Sequence, residues 1–274
     1  MGGSRFIGKH LLQKLSVDDH ITVVNRGSVP AEKYLPPGAE QVSLDRNEAD
    51  AMASALAGKA FDLVFDVSAV TGDHVRILLD ALEQPPRRHV HVSSGSVYDI
   101  YGEDTPIFWQ PIAEGFPIGR IHEDEHPYMN AKRSAEKVLQ EEFEALGYPM
   151  VIVRPTFVYG PDNYIYREAY FFDRLHHDRP LILPNKGHGF QDLVFVDDLA
   201  DLLIEVSQRP AEEVVGEAFN GTKGDLITAN MLAKLVGKIM DKSPEILYAD
   251  IDQLQEMQWP PERALYPYIP EGGS

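Results

Sequence analysis

Short β-branched runs recur along this chain, and the spacers between them decide what it can fold into. HITVVNRGS, QVSLDRN, FDLVFDVSA, RHVHVSSGS and VIVRPTFVYGP are each too short for a buried helix and rich in Val, Ile and Phe. Between them lie stretches with helical spacing, such as GGSRFIGKHLLQKL, where Ile7, Leu11, Leu12 and Leu15 fall on one face. Strands alternating with amphipathic helices close as a doubly wound parallel sheet. The predicted class is therefore α/β and Rossmann-like, with a small C-terminal lobe. Residues 1–158 form the dinucleotide-binding domain. Residues 159–274 are mostly a substrate-binding lobe, with 190–220 returning to the sheet.

The run YMNAK, Tyr128 to Lys132, carries the chemistry. Tyr128 and Lys132 stand at i and i+4, so on the following helix (AKRSAEKVLQEEFEAL) they share one face. A lysine ammonium beside a phenol favours the phenolate and lowers its pKa. The phenol can then exchange a proton with a substrate hydroxyl near neutral pH. Ser93 and Ser94 end the apolar strand just before, and a serine there can reach the same spot from the sheet. The glycines of MGGSRFIG let the backbone approach a pyrophosphate seated on helix amides. Asn25, Arg26 and Gly27 close the next strand, where an adenosine ribose would lie. A carboxylate there would hold the 2′-hydroxyl of NAD, whereas Arg26 suits a 2′-phosphate, so NADP is preferred with NAD as the alternative. Asp45 ends a further strand and could meet the adenine edge.

GGSRFIG, SSGSVY, YMNAK, RPTFVYGP and VFVDDLA, in this order, resemble the blocks of extended short-chain dehydrogenases/reductases of the NAD-dependent epimerase/dehydratase family. The resemblance runs from Gly2 to about residue 240. With NRG and YREAYFFDRL it resembles an atypical branch, which includes epimerase-like enzymes and chloroplast RNA-binding proteins. It implies an NAD(P)-dependent epimerase or reductase that moves hydride at a carbinol or ketone carbon, possibly of a nucleotide sugar. Tyr128 would be the acid/base, and Lys132 would tune it and hold the nicotinamide ribose. Ser94 would bond the substrate oxygen, since it stands four residues before Tyr98. Cofactor contacts are implied at Gly2, Ser4, Arg5, Phe6, Ile7, Gly8, Asn25, Arg26, Asp45, Arg46, Ser68, Ala69, Ser93, Tyr128, Lys132, Pro155, Phe157 and Val158. Substrate contacts are implied at Ser94, Ser96, Tyr98, Trp109, Arg167 and Arg174.

Departures from the pattern sharpen these expectations. Arg5 replaces the middle glycine and could reach a phosphate as a cation. Gly95 and Ser96 stand where the family's 4,6-dehydratases carry an Asp-Glu pair, so water elimination is not expected. The family's first strand should precede the Gly-rich turn, yet the sequence begins at Met1. Either it starts late, which is the favoured expectation, or the sheet lacks its central strand and exposes two edges.

Other features have blander readings. Asp197 or Asp198 is expected to cap a helix, and the pair is not expected to bind metal. The aperiodic stretch 99–127, with Tyr101, Phe108, Trp109 and Phe116, is expected to fold over the substrate. Its HEDEH run, His122 to His126, formally matches H-E-x-x-H, but Pro127 follows it and a metal site is not expected. Arg167 and Arg174, two helical turns apart, are either a solvated edge or a grip for substrate phosphates. The helix 130–146 offers Ala131, Ala135, Val138, Leu139 and Leu146, more apolar surface than one sheet face needs, so a two-fold homodimer is expected.

Composition bounds the partners. With no cysteine there is neither a disulfide nor a thiolate metal site. No apolar run approaches membrane-spanning length, and a cytoplasmic location is the default expectation without membrane partners. The net charge of −18 opposes a polyanion, because the Lys and Arg residues are scattered, so no nucleic acid is expected. Two other roles on the same fold stay open, a non-catalytic NADP-sensing regulator and an RNA-binding protein.

Overall fold

The computed structural model describes residues 1–250, apart from Val17, Ala31, Glu32, 100–110 and Asp124. The chain divides into two compact units. The first comprises Met1–Val158 and Val194–Thr222, and the second comprises Tyr159–Leu193 and the chain from Lys223.

The first unit is a Rossmann-like α/β sandwich. In chain order it contains α1 (Phe6–Lys14), β1 (Thr22–Asn25), β2 (Glu40–Ser43), α2 (Ala49–Leu56), β3 (Leu63–Asp66), α3 (Gly72–Ala81) and β4 (Arg88–Val92). It continues with α4 (Pro127–Leu146), β5 (Met150–Pro155) and β6 (Phe157–Tyr159), which ends at the unit boundary. After the excursion into the second unit come α6 (Val196–Gln208), the short α7 (Ala211–Val214) and β9 (Ala218–Gly221). β4 and β5 are buried on both faces, as central strands of a parallel sheet must be. One face packs on α1 and α6, where Phe6 and Leu11 meet Val90, Val92, Val151, Val153, Leu199 and Leu203. The other packs on α2, α3 and α4, with Met52, Leu78, Ala135, Val138 and Leu139 buried.

Strand pairing answers the question of the central strand. β3, β4, β5 and β9 form one parallel group in that order, and β1 pairs with β2 in a second. Two residues join them. The Met1 amine donates to Phe65 O (2.7 Å) and Val67 N donates to Met1 O (3.2 Å), while Gly2 N donates to Val24 O (2.9 Å). This alternation is the pattern of a strand running parallel to both neighbours. Met1 and Gly2 thus occupy the central position at the carboxyl end of the sheet, where the Gly-rich turn begins.

Two expectations are corrected here. Asp197 and Asp198 do not cap α6: Phe195 is the N-cap, and both aspartates lie in the first turn, where the helix dipole favours negative charge. Asp197 also meets His10 Nδ1 at 2.6 Å, tying α6 to α1. The apolar surplus of α4 is likewise not present. Ala135, Val138 and Leu139 are spent on the protein's own core, and Leu146 alone of those residues is strongly exposed, at 78%. The outward face carries Lys137, Gln140, Glu141 and Glu144. A homodimer through this helix would have to cover that charged face.

The second unit contains α5 (Glu168–His176), β7 (Leu181–Pro184), β8 (Phe190–Phe195, crossing the boundary), β10 (Leu226–Thr228), α8 (Ala229–Ile239) and β11 (Ile246–Ala249). β11 runs parallel to β7, and β10 runs antiparallel to β8. Its core gathers Phe171, Leu175, Leu181, Leu183, Ala233 and Val236. No helix among the described residues is long and apolar enough to cross a membrane.

Candidate active site

The Gly-rich turn is tight for a steric reason. A Cβ on Gly8, in the first turn of α1, would lie 2.5 Å from Gly3 N, so no side chain fits there, and Gly3 itself has φ +101°. Phe6 is drawn into positive φ (+39°) and is held there by burial. Arg5 takes the N-cap position in extended geometry, is exposed, and its side chain makes no bond to the helix amides. Ser4 precedes it and Ile7 is partly buried. The start of α1 therefore offers a close backbone approach, the helix dipole and a neighbouring cation, which together suit a pyrophosphate.

At the end of β1, Asn25 organises its own turn. Its Oδ1 accepts from Gly27 N (2.8 Å) and Gln41 Nε2 (3.2 Å), and its Nδ2 donates to Tyr34 OH (3.0 Å). Arg26 is exposed beyond it. Asp45, also exposed, accepts from the backbone and side chain of Asn47, which hold its carboxyl below the usual range with help from the Arg26 charge.

Arg46 is placed differently from the cofactor role expected of it. Its guanidinium forks onto the fully buried Asp66 (2.8 and 2.9 Å) and also serves Ser68 Oγ and His74 O. Burial alone would raise the Asp66 pKa, but the Arg46 fork outweighs it and holds the carboxyl well below its ordinary value. Arg46 thus neutralises a buried carboxylate, and Ser68 helps to hold it there.

Ser94, Tyr128 and Lys132 are brought to one end of the sheet by two elements. Ser94 caps the single 3₁₀ turn Gly95–Val97 that follows β4, accepting from Ser96 N (3.2 Å) and Ser96 Oγ (2.9 Å). Ser93 is buried, and its hydroxyl has no hydrogen-bond partner among the described residues. Tyr128 lies in the first turn of α4 and is 43% exposed. One turn on, Lys132 is buried and donates to Ala69 O (2.8 Å) and Val92 O (2.9 Å). Burial pushes its pKa down to about 8. Two of its three N–H groups are committed to carbonyls, one in the loop after β3 and one at the end of β4, which fixes the ammonium beside the serine-bearing strand.

Beneath Lys132 lies the one group of His, Asp or Glu side chains among the described residues close enough to hold a metal: Asp66, His89 and His91, with donor atoms within 4.8 Å of one another. The donor set does not fit a cation. Both Asp66 oxygens accept from Arg46, and Oδ1 also accepts from Ala69 N. The Lys132 charge presses on His91 as well. In the downstream HEDEH run, the described residues are not helical: His126 is the N-cap of α4, where its Nδ1 accepts from Tyr128 N.

Several expected substrate contacts are used inside the protein instead. Tyr98 is 1% exposed; its hydroxyl donates to Asn220 Oδ1 (2.6 Å) and accepts from Arg154 Nη1 (3.0 Å). Ser96 is half-buried and bonded to Ser94. Arg154 forks onto Glu136 (3.0 and 2.7 Å) and reaches Glu114 O. Pro155 ends β5, while Phe157 is 38% exposed and Val158 is buried. In the second unit, Arg167 is the N-cap of α5 and not a residue on its face. Arg174 lies over the Tyr170 ring and bonds Pro180 O. The two do not form the stripe their spacing suggested. Trp109, Tyr101 and Phe108 lie outside the described residues.

Sequence reasoning missed Asp66, Arg133 and Arg154. Asp66 left one trace, an acidic residue closing the apolar run LVFD. Nothing local marks the two arginines as buried.

With this geometry in hand, the comparisons are informative. The NAD dependent epimerase/dehydratase family matches residues 1–220. The chloroplast stem-loop binding protein of 41 kDa b from Arabidopsis thaliana is 30% identical over 90% of this chain, which spans 64% of that protein. The dTDP-D-glucose 4,6-dehydratase of Bos taurus is 23% identical over 74% of this chain and 55% of its own length. Among solved structures, the UDP-glucose 4-epimerase of Thermotoga maritima with UDP-glucose superposes with a TM-score of 0.76. It covers 91% of this chain and 84% of the other at 24% identity. The UDP-glucuronic acid 4-epimerase of Bacillus cereus, with UDP-glucuronic acid and NAD, gives a TM-score of 0.73 at 19% identity over 90% and 84% of the two chains.

Proposed function

Since the chain belongs to the NAD dependent epimerase/dehydratase family, we propose that it is an NAD(P)-dependent epimerase or reductase acting on a carbinol carbon of a nucleotide-linked sugar. The observation that carries this reading is the Lys132 ammonium, buried and bonded to Val92 O two residues before Ser94. It ties the helix face of Tyr128 to the strand end that bears the serine.

The nicotinamide, when bound, takes or returns the hydride. Tyr128 takes the proton of the substrate hydroxyl as the carbinol becomes a ketone, and gives it back in the reverse step. Ser94 orients that oxygen, and Lys132 holds positive charge near the phenol. The backbone of Gly2–Gly8 and the exposed Arg5 receive the pyrophosphate. Arg26 favours the 2′-phosphate of NADP, whereas the UDP-glucuronic acid 4-epimerase of Bacillus cereus and a dTDP-glucose 4,6-dehydratase of Bacillus anthracis were solved with NAD. Gly95 and Ser96 supply neither acid nor base beside Ser94, which supports hydride transfer over water elimination.

A second reading, binding of stem-loop RNA, is supported by the name of the Arabidopsis relative. The charge of −18 weighs against it, since attraction to phosphates is what drives such binding.

One experiment separates them. The protein and its Tyr128→Phe variant are titrated with NAD, NADP and a stem-loop RNA at physiological salt, then assayed with UDP- and dTDP-sugars. We expect turnover to fall by about 10²–10⁴-fold in the variant with dinucleotide affinity kept within a few-fold, and NADP to bind more tightly than NAD. Undiminished turnover in the variant, or submicromolar RNA binding without dinucleotide affinity, overturns the proposal.

A further inference from the structure

We propose that Arg133 is a positioning residue that locks the segment leading into Tyr128 onto the Ser94 turn. This rests on the reading above and adds a residue to it. Arg133 is 2% exposed and follows Lys132 on α4. Its guanidinium is a fork with five fixed donors, and here four acceptors from two stretches of chain converge on it. Nε donates to Val97 O (2.9 Å) and Nη2 to Tyr98 O (3.2 Å), both in the turn that follows Ser94. Nη1 donates to Arg120 O (2.7 Å) and to Glu125 Oε2 (3.0 Å), both in the segment that enters α4.

The sequence leaves room for this grip at one point. A Cβ on Gly119 would lie 2.0 Å from Nη2 and 2.1 Å from Cζ. The guanidinium has little slack to move aside, because Nε, Nη1 and Nη2 are all bonded, three of the four acceptors being backbone carbonyls. Gly119 is therefore required by Arg133 rather than by its own backbone angles.

Further contacts extend the same clamp. Gly119 N donates to Val97 O, the acceptor that Arg133 also uses, and Asp99 N donates to Pro117 O. Asn130, one turn before Ser134 on the same helix, accepts His122 N on its Oδ1 and donates to His122 O. His126 then caps the helix at Tyr128 N. The guanidinium thus joins the turn after Ser94 to the segment that enters α4 at Tyr128. Proton transfer and hydride transfer need the serine and tyrosine hydroxyls in register to well under an ångström, and a small misplacement costs on the order of 10²-fold.

The test is Arg133→Lys in the full chain, which keeps the charge but replaces a four-way fork with a point donor. Amide hydrogen exchange is followed at Asp99, Gly119 and His122, alongside dinucleotide affinity, kcat and KM. We expect exchange at these amides to accelerate at least about tenfold and kcat to fall about 10–100-fold. KM and dinucleotide affinity should stay within about threefold, because the glycine turn lies elsewhere. Asn130→Ala, which leaves the guanidinium in place, should accelerate His122 alone with a smaller loss of kcat, and it serves if Arg133→Lys does not fold. Unchanged exchange at Gly119 overturns the clamp. Accelerated exchange with unchanged kcat overturns its link to the chemistry. Accelerated exchange in a protein whose wild type turns over no nucleotide sugar sustains the clamp and overturns the enzyme reading instead.

Discussion

Two buried polar systems lie inside the first unit, and they are built on opposite principles. Around Arg154, every partner is satisfied: Glu136 takes both arms of the fork, Tyr98 accepts a third bond, and Asn220 closes the chain onto Ile112 O. Around Asp66, the carboxylate is matched by Arg46, yet His89 Nε2 and both nitrogens of His91 are buried without a hydrogen-bond partner among the described residues. The first system joins α4, β5, β9 and the segment near residue 114. The second lies under Lys132 with neutral imidazoles that burial has driven far from protonation, to about 4 for His89 and about 3 for His91. A satisfied network resists removal of any member, whereas an unsatisfied one resists added charge.

The largest effect should come from breaking the satisfied network. Glu136→Gln leaves the Arg154 guanidinium buried without a countercharge; burial would lower the pKa of that group, and Glu136 is what holds it up. Removing one partner of such a pair costs about 3–5 kcal/mol. Urea unfolding should show this loss, and Glu136→Met with Arg154→Met should recover much of it. A loss under about 1 kcal/mol for Glu136→Gln would mean that water reaches Arg154 and that the two systems do not differ in kind.

How much of this could be read from the sequence follows the same division. The glycine turn, the Tyr128–Lys132 face and the strand alternation were legible because each is a local pattern with a period of its own. Arg46 with Asp66, separated by 20 residues, and Tyr98 with Asn220, separated by 122, were not. A buried charge pair has no periodicity, and each half looks like a surface residue until the fold brings the other to it. That is why Tyr98 and Arg46 were expected to touch ligands. The α4 surplus misled for a related reason: apolar positions were counted without the contribution of α3, which covers Ala135, Val138 and Leu139 from the side.

The next effect is acid sensitivity from the histidine seam. In the unfolded chain both histidines protonate near 6.5, whereas in the fold they do so only near 4 and 3. Below pH 6.5 the unfolded state therefore binds protons that the native state does not, and stability falls as pH drops. Asp66 acts in the same direction at the acid end, since its depressed pKa contributes stability that is lost as the carboxylate protonates. The sum is on the order of several kcal/mol by pH 4. Urea midpoints measured from pH 8 to 4 should change little down to about 6.5 and fall steadily below it. A flat profile to pH 4.5 would mean that the imidazoles are protonated in the fold.

The smallest effect sharpens the contrast most. His91→Leu removes a buried polar group whose ring nitrogens bond nothing, so no partner is left stranded. The imidazole it removes is neutral in the fold, since burial first and then the Lys132 charge oppose its protonation. At pH 7.5 the change in stability should stay within about 1 kcal/mol of zero, in either direction, because similar volume is kept and no hydrogen bond is lost. Between pH 6.5 and 4, however, the variant should lose less stability than the wild type, since one of the two groups that protonate only on unfolding is gone. Paired urea titrations at pH 7.5 and 5 read both quantities. A loss of 2 kcal/mol or more at pH 7.5 would place His91 in a hydrogen-bonded network like that of Arg154, and the contrast between the two interiors would collapse.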